Sequence, residues 1–324
     1  MKILFTGASS FTGFWFVRSL VAAGHEVVCP LRGSPENYSG LRAERVRMLK
    51  KICELHSGMP FGTEPFLNLL TQVGPFELLC HHAAEVGDYK SPGFDVHGAF
   101  RSNTFHLPQV LAKFKQGGGR AMVVTGTVFE ANEGRGSLPL RAFSPYGVSK
   151  TISFEYSRFC CEAAAVPLGK FVIPNPFGPW EEPRFTNYLL SKWRAGLPAQ
   201  VRTPDYVRDN IHVDLLAGAY AGFAEQMLRR AGPLQAANPS GYVEKQGLFA
   251  ERVATEMRAR LSWKCDLEIL PQHDFSEPLE RFNFEPAAPA NPGWNEAAAW
   301  DAMAEFYAPG GLQDLGRKTE GRIS

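Results

Sequence analysis

No two cysteines stand in a C-x-x-C pair. Cys29, Cys53, Cys80, Cys160, Cys161 and Cys265 follow no repeated interval, which argues against a zinc knuckle and against a disulfide framework. The histidines form no H-E-x-x-H or comparable ligand pattern, so no structural metal is expected. Charge of one sign is also missing. Thirty-four basic residues meet thirty-three acidic ones, a net charge of +1, and no basic excess points to nucleic acid or an anionic membrane surface. No apolar run approaches the 18 or so residues of a membrane span. The opening Met1-Lys2-Ile3-Leu4-Phe5-Thr6-Gly7 is too short an apolar stretch for a signal peptide, so a cytoplasmic protein is expected. Internal repeats and low-complexity segments are absent.

The 324 residues leave room for one large α/β domain or two modest ones. Short apolar runs alternate with helical patterns through the first half. Ile3–Thr6, Glu26–Leu31, Glu77–His81, Ala121–Thr125 and Lys170–Ile173 read as strands. Thr12–Ala23, Thr104–Phe114 and Pro145–Ala164 read as helices. This alternation predicts an α/β fold, a doubly wound parallel Rossmann sheet covered on both faces. Beyond Pro174 proline, aromatic and charged residues interleave, with helices suggested at Phe185–Ala195, Val213–Arg230 and Val243–Leu261. The expected division is a dinucleotide-binding domain over 1–174, a mainly substrate-binding lobe over 175–309, some segments of which return to the first domain, and a flexible tail over 310–324.

Gly7-Ala8-Ser9-Ser10-Phe11-Thr12-Gly13 stands between the first strand and the first helix. Glycines there permit a tight turn and let a diphosphate approach the free N–H groups of the helix start. At the end of the second strand the charged residue is Arg32, where an acid suits the ribose of NAD and an arginine the extra phosphate of NADP. NADP is therefore the expected cofactor and NAD the alternative. Tyr146-Gly147-Val148-Ser149-Lys150 follows the helix cap Ser144 and the first-turn Pro145, so Tyr146 and Lys150 lie one turn apart on one face. An ammonium near a phenol lowers its pKa from about 10. Such a tyrosine exchanges protons with a substrate oxygen near neutral pH.

With these motifs the chain resembles the extended short-chain dehydrogenase/reductase family, the nucleotide-sugar branch of epimerases, dehydratases and reductases. The supporting residues are Thr6-Gly7 to Gly13, His81-His82-Ala83-Ala84, Asn103, Thr125 to Phe129, Tyr146 to Lys150, Asn175 to Pro179 and Arg208 to Asp214. The resemblance implies that Thr125 hydrogen-bonds the reacting oxygen, that Tyr146 is the acid/base, and that Lys150 tunes Tyr146 and holds the nicotinamide ribose. It implies that His82, Ala83 and Ala84 pass under the cofactor, that Asn103 lies near the active site, and that Pro174 borders the nicotinamide. Asn175 and Arg208 then hold the diphosphate of a sugar nucleotide. A salt bridge of Arg208 with Asp209 or Asp214 is the structural alternative.

Departures from the family pattern are Ser10 at the middle glycine, no acid around His56–Pro60 for adenine, and Phe129-Glu130 in place of Tyr-Gly. Gly126-Thr127 replaces the Asp-Glu pair of the 4,6-dehydratases, so the residues that eliminate water are missing. The first expectation is an NADP-dependent reductase of a 4-keto sugar nucleotide. An epimerase of sugar nucleotides is the alternative, followed by a reductase of a non-nucleotide carbonyl compound and by a silent nucleotide-binding regulatory module. A homodimer is expected through the helices Thr104–Phe114 and Pro145–Ala164, the second carrying apolar Ile152, Phe154, Phe159 and Cys160.

Overall fold

The structure is a computed structural model. It describes residues 1–313 apart from Lys90, Arg230, Ala231, Pro292 and Leu312, so most of the expected tail over 310–324 lies outside the described residues. In chain order the first strands are β1 (Lys2–Thr6), β2 (Glu26–Pro30), β3 (Glu54–His56), β4 (Leu78–His81) and β5 (Ala121–Thr127). They are followed by β6 (Arg135–Gly136), β7 (Leu168–Ile173), β8 (Asn175–Phe177), β9 (Ala199–Val201), β10 (Val207–His212) and β11 (Leu234–Ala237). The last are β12 (Pro239–Ser240), β13 (Tyr242–Lys245), β14 (Leu267–Ile269), β15 (Glu280–Phe282) and β16 (Glu285–Pro286).

Seven strands pair in the order β11-β7-β5-β4-β1-β2-β3, every neighbouring pair parallel. The sheet is buried on both faces, which is why β5 reads as an unbroken run with every residue buried. The chain runs outward from β1 to β3, then returns to β4 and continues the other way. The strand order therefore reverses between β1 and β4, and a crevice opens beyond their carboxyl ends. A smaller mixed sheet runs β13-β10-β15-β6, with β8 beside β10. The expected α/β class holds. Strand β11, from the C-terminal half, completes the edge of the large sheet beside β7.

Helices α1 (Phe11–Ala22) and α8 (Val213–Arg229) cover one face of the sheet through Phe14, Phe16, Tyr220 and Phe223. On the other lie α3 (Glu64–Gln72), after α2 (Gly40–Leu49), then α4 (Val96–Thr104), α5 (Leu107–Gln116) and α6 (Pro145–Ala164). The helix expected at Thr104–Phe114 is α5, which starts only at Leu107, and Thr104 is the last residue of α4. His106 adopts a left-handed φ of 49° between them, and Pro108 in the first turn of α5 has no N–H to continue α4. The remaining helices are α7 (Phe185–Arg194), α9 (Gln246–Arg260), α10 (Ala287–Ala290) and α11 (Glu296–Tyr307). The helix expected from Val243 starts only at Gln246, because Tyr242–Lys245 pairs antiparallel with β10 as β13. Among the described residues no helix is long and apolar enough to cross a membrane.

One buried side chain ties the two sheets together. Arg281, on β15, is fully buried. Its guanidinium donates to the carbonyl oxygens of Val128 at 3.3 Å, Glu130 at 3.2 Å, Glu133 at 2.9 Å and Arg141 at 2.8 Å. Four carbonyl oxygens of the loop after β5 thus share this one buried cation. Arg281→Met keeps the volume but leaves these carbonyls unpaired. It should cost about 3 kcal/mol or more, at the upper end of single substitutions, measured by urea unfolding. A loss below about 1 kcal/mol would show that the loop holds itself.

Candidate active site

The glycine loop is shaped by close packing. Gly7 has a φ of +81°, and a Cβ on it would meet the Ala83 nitrogen at 2.7 Å. A Cβ on Gly13 would meet the Gly7 carbonyl oxygen at 2.2 Å. Ser10 caps α1, accepting from the Gly13 N–H at 3.1 Å and donating its hydroxyl to the Gly7 carbonyl at 2.9 Å. The side chain at the middle position is therefore folded into the loop. Ser9 is gripped from α2: its hydroxyl accepts from Arg42 at 3.1 Å and its carbonyl from the buried Arg45 at 3.0 Å. Phe11 is buried in the core. This is the cradle that a dinucleotide diphosphate requires, and the residues present fit that group.

His82, expected only as a strand end under the cofactor, organises the polar floor of the crevice. Its Nε2 lies 3.1 Å from both Ser10 Oγ and Thr12 Oγ1, and its Nδ1 lies 3.0 Å from Thr125 Oγ1. The Ser10 proton is committed to Gly7, so Nε2 carries the hydrogen and Nδ1 accepts from Thr125. Thr125 therefore turns its hydroxyl to His82. Burial lowers the His82 pKa to about 3 and that of its neighbour His81 to about 4. His81 donates from Nε2 to the Asn103 carbonyl at 2.8 Å and accepts at Nδ1 from Thr6. Ala83 donates its N–H to the Thr6 hydroxyl at 3.0 Å. The loop carries on through Ala84 to Glu85, whose N–H bonds the Asn103 side chain at 2.9 Å. Arg32 is exposed and pairs with Glu85 at 3.0 Å.

Ser144 accepts from the Gly147 N–H at 3.0 Å and starts α6 at Pro145, as its sequence indicates. The Lys150 ammonium reaches across to the Thr125 carbonyl oxygen at 2.6 Å. The Tyr146 ring sits among Tyr89, Phe94 and Phe129, with ring centroids 6.1, 6.0 and 6.4 Å away. The expected fall in its pKa does not occur in the protein alone. Burial raises it, the Glu130 carboxylate raises it further, and Arg184 opposes.

Pro174 is buried at the turn from β7 to β8. The Asn175 side-chain nitrogen, next in sequence, is buried with no hydrogen-bond partner. Such an orphaned donor marks a place for an acceptor from outside the protein. Arg208 pairs with Glu277 at 2.9 Å, bonds the Leu279 carbonyl at 3.2 Å and lies 4.3 Å over the Tyr206 ring. The salt bridge considered as the structural alternative, with Asp209 or Asp214, is made instead with a residue 69 positions away. Asp209 instead accepts from the N–H groups of Gly241 and Asn283, and burial lifts its pKa to about 7.

Glu130, Lys170 and Arg184 were missed by the sequence reading. A lysine inside the apolar run Leu168–Ile173 and a glutamate in place of glycine were the available signals. Among the described residues no group of three or more His, Cys, Asp or Glu side chains is placed to hold a metal ion.

Residues 3–231 match the model of the NAD dependent epimerase/dehydratase family. No curated protein sequence matches significantly. Among solved structures, the chain is similar to a UDP-glucuronic acid 4-epimerase mutant from Bacillus cereus in complex with a fluorinated UDP-glucuronic acid and NAD. The TM-score is 0.74 at 18% identity, covering 98% of this chain and 99% of that one. A UDP-glucose-4-epimerase from Stenotrophomonas maltophila with bound NAD and formylated UDP-arabinopyranose gives 0.70 at 20%, covering 100% of each chain. A dTDP-glucose 4,6-dehydratase from Bacillus anthracis str. Ames in complex with NAD gives 0.70 at 16%, covering 95% and 96%. At these identities the likeness is one of fold.

Near the crevice Glu181 is fully buried, hydrogen-bonded to Tyr307 at 3.2 Å, and burial raises its pKa to about 8. A raised carboxyl stabilises the fold below its unfolded value, and that stability is lost as pH rises through the folded value. Glu181 and Asp209 therefore weaken the protein between about pH 4 and pH 8. His81, His82 and His212, all depressed, act oppositely, withdrawing stability as pH falls below about 6.5. Stability should peak near about pH 6. Glu181→Gln should flatten the alkaline side, its melting temperature falling several degrees less than wild type between pH 6 and 8.5 in differential scanning calorimetry. Parallel curves would mean that Glu181 is ionised in the fold.

Proposed function

The chain belongs to the NAD dependent epimerase/dehydratase family, and from that premise we propose that it is an NAD(P)-dependent nucleotide-sugar epimerase. The observation that carries the reading is the placement of Tyr146 and Lys150, one turn apart on α6, beside the crevice where the strand order reverses. Similarity to epimerases along the whole chain, both lobes included, supports it.

A bound nicotinamide dinucleotide would supply hydride acceptance and return. Gly7, Ser9, Ser10, Phe11, Thr12 and Gly13 would hold its diphosphate, with His82, Ala83, Ala84 and Asn103 beneath. Arg32 and its partner Glu85 stand where the adenosine ribose ends, the position that distinguishes NADP from NAD. Tyr146, as its phenolate, would accept the proton of the sugar hydroxyl and return it to the same oxygen. Lys150, anchored on Thr125, supplies fixed positive charge on the same helix face. The unpaired Asn175 amide offers a donor to a diphosphate. Arg208, already neutralised by Glu277, binds it only by exchanging that partner.

Reduction of a 4-keto sugar nucleotide with NADPH is the second reading. Two features favour it: burial raises the pKa of Tyr146, which suits a proton donor, and the exposed Arg32 stands just after β2, where an arginine suits the extra phosphate of NADP. Exposed Val148, Ile152 and Phe159 on α6 support a homodimer, whereas Phe154 and Cys160 turn toward the sheet. The dimer is expected in light scattering at micromolar concentration, and Phe159→Glu should shift it to monomer. An unchanged monomer in both would remove it.

UDP-glucose, UDP-galactose, UDP-glucuronic acid and dTDP-glucose incubated with NAD⁺ should reveal one C4 epimer by proton NMR. Tyr146→Phe should lower its formation about 100-fold or more and leave NAD⁺ binding unchanged by calorimetry. Consumption of NADPH with a 4-keto sugar nucleotide, and no epimer from any of the four, would replace the first reading with the second.

A further inference from the structure

His82 reaches from beneath the glycine loop to the end of β5. Its Nε2 lies 3.1 Å from Ser10 Oγ and from Thr12 Oγ1, and its Nδ1 lies 3.0 Å from Thr125 Oγ1. Phe16 stands edge-to-face with the imidazole at a centroid distance of 5.2 Å, and Phe5 lies tilted against it at 5.7 Å. The backbone is held as closely, because a Cβ on Gly7 would meet the His82 carbonyl carbon at 3.0 Å. The ring therefore has little room to turn. Ser10 donates its hydroxyl to the Gly7 carbonyl at 2.9 Å, so toward His82 its oxygen can only accept. Nε2 carries the ring hydrogen, and the bare Nδ1 accepts from Thr125.

Thr125 is engaged twice. Its carbonyl oxygen takes the Lys150 ammonium at 2.6 Å, and its hydroxyl proton goes to His82. Lys150 is one turn beyond Tyr146 on α6, so Thr125 and the turn that carries Tyr146 meet near the carboxyl end of β5. A threonine whose proton is committed keeps its lone pairs and has nothing to donate. It suits a hydroxyl and cannot bond a ketone oxygen. We propose that His82 is a positioning residue: by taking the Thr125 proton it makes Thr125 an acceptor that selects a substrate hydroxyl beside the one that reacts. The proposal rests on the reading of Tyr146 as the base toward a sugar hydroxyl.

Under that reading the reacting hydroxyl gives its single proton to Tyr146 and has none left for Thr125. The donor that meets Thr125 is therefore a neighbouring hydroxyl. For a hexopyranose reacting at C4 the adjacent carbons are C3 and C5. C5 bears the ring oxygen, so the neighbour is the C3 hydroxyl. Thr125, which the family resemblance assigns to the reacting oxygen, then holds the oxygen next to it.

The first test needs no substrate. In the full chain labelled with ¹⁵N-histidine, the His82 resonances are assigned by their loss in His82→Asn. At neutral pH the hydrogen should sit on Nε2, and Thr125→Val should shift the Nδ1 resonance while leaving the hydrogen in place. A hydrogen on Nδ1, or an Nδ1 resonance that Thr125→Val does not move, overturns the proposal. The second test compares UDP-glucose with UDP-3-deoxy-3-fluoroglucose, whose fluorine has no proton to donate. In calorimetry with NAD⁺ present, the wild type should bind the fluoro sugar about fivefold more weakly, the loss of one neutral hydrogen bond. Asparagine carries its amide where Nδ1 stands, and glutamine carries its amide where Nε2 stands. His82→Asn should therefore keep most of that ratio, and His82→Gln and Thr125→Val should lose it. A merely structural defect would weaken both sugars alike and leave the ratio intact. No discrimination in the wild type, or full discrimination in His82→Gln and Thr125→Val, overturns the proposal. The tautomer is read without substrate or turnover, so its failure is separable from failure of the epimerase reading.

Discussion

The Lys150 ammonium rests 2.6 Å from the carbonyl oxygen of Thr125. This bond joins the helix that presents Tyr146 to β5, an inner strand of the sheet. Much around it serves to hold its two ends. Ser144 and Pro145 set where α6 begins, and Gly147 lets the helix settle on the Phe129 carbonyl. Arg281 and the Glu130–Lys170 pair hold the turn that follows the strand. A lysine in this position has given up its freedom to meet the phenol directly. Its effect on Tyr146 is set by where the backbone places both residues.

The crevice is more polar beneath the glycine loop than an apolar strand end would make it. Ser10, Thr12, His82 and Thr125 share one imidazole. A neutral histidine suits this place because it donates at one nitrogen and accepts at the other, and so satisfies both sides of the crevice at once. Ser10, which on paper intrudes on the diphosphate, is drawn into the loop by this network. The same network commits the Thr125 hydroxyl proton to His82.

Much of the frame was legible because local chemistry determined it. Helix α6 begins at Pro145 and ends at Ala164, since its cap and first-turn proline are written in adjacent residues. Gly7 and Gly13 were legible from spacing alone. Pairs distant in sequence were not. Nothing near Arg208 announces Glu277, and nothing near Lys170 announces Glu130, 40 positions earlier. The lowered phenol pKa was inferred from helical spacing, yet the direction of a shift depends on burial and on charges from other elements. Strand β13 was read as the start of a helix because its residues continue into α9 without a break in polarity. Only pairing with β10 makes it a strand.

On the proposed reading, the fold, the glycine cradle and the Tyr146–Lys150 face serve hydride chemistry at a sugar carbon, with the protein supplying position and a proton. Epimerisation and net reduction differ in one respect, whether the hydride returns to the molecule that gave it. A UDP-hexose carrying deuterium at C4, incubated with the protein and NAD⁺, tests this directly. The account predicts a C4 epimer that retains the deuterium in the sugar. Deuterium recovered in released reduced cofactor, with no epimer formed, would contradict it.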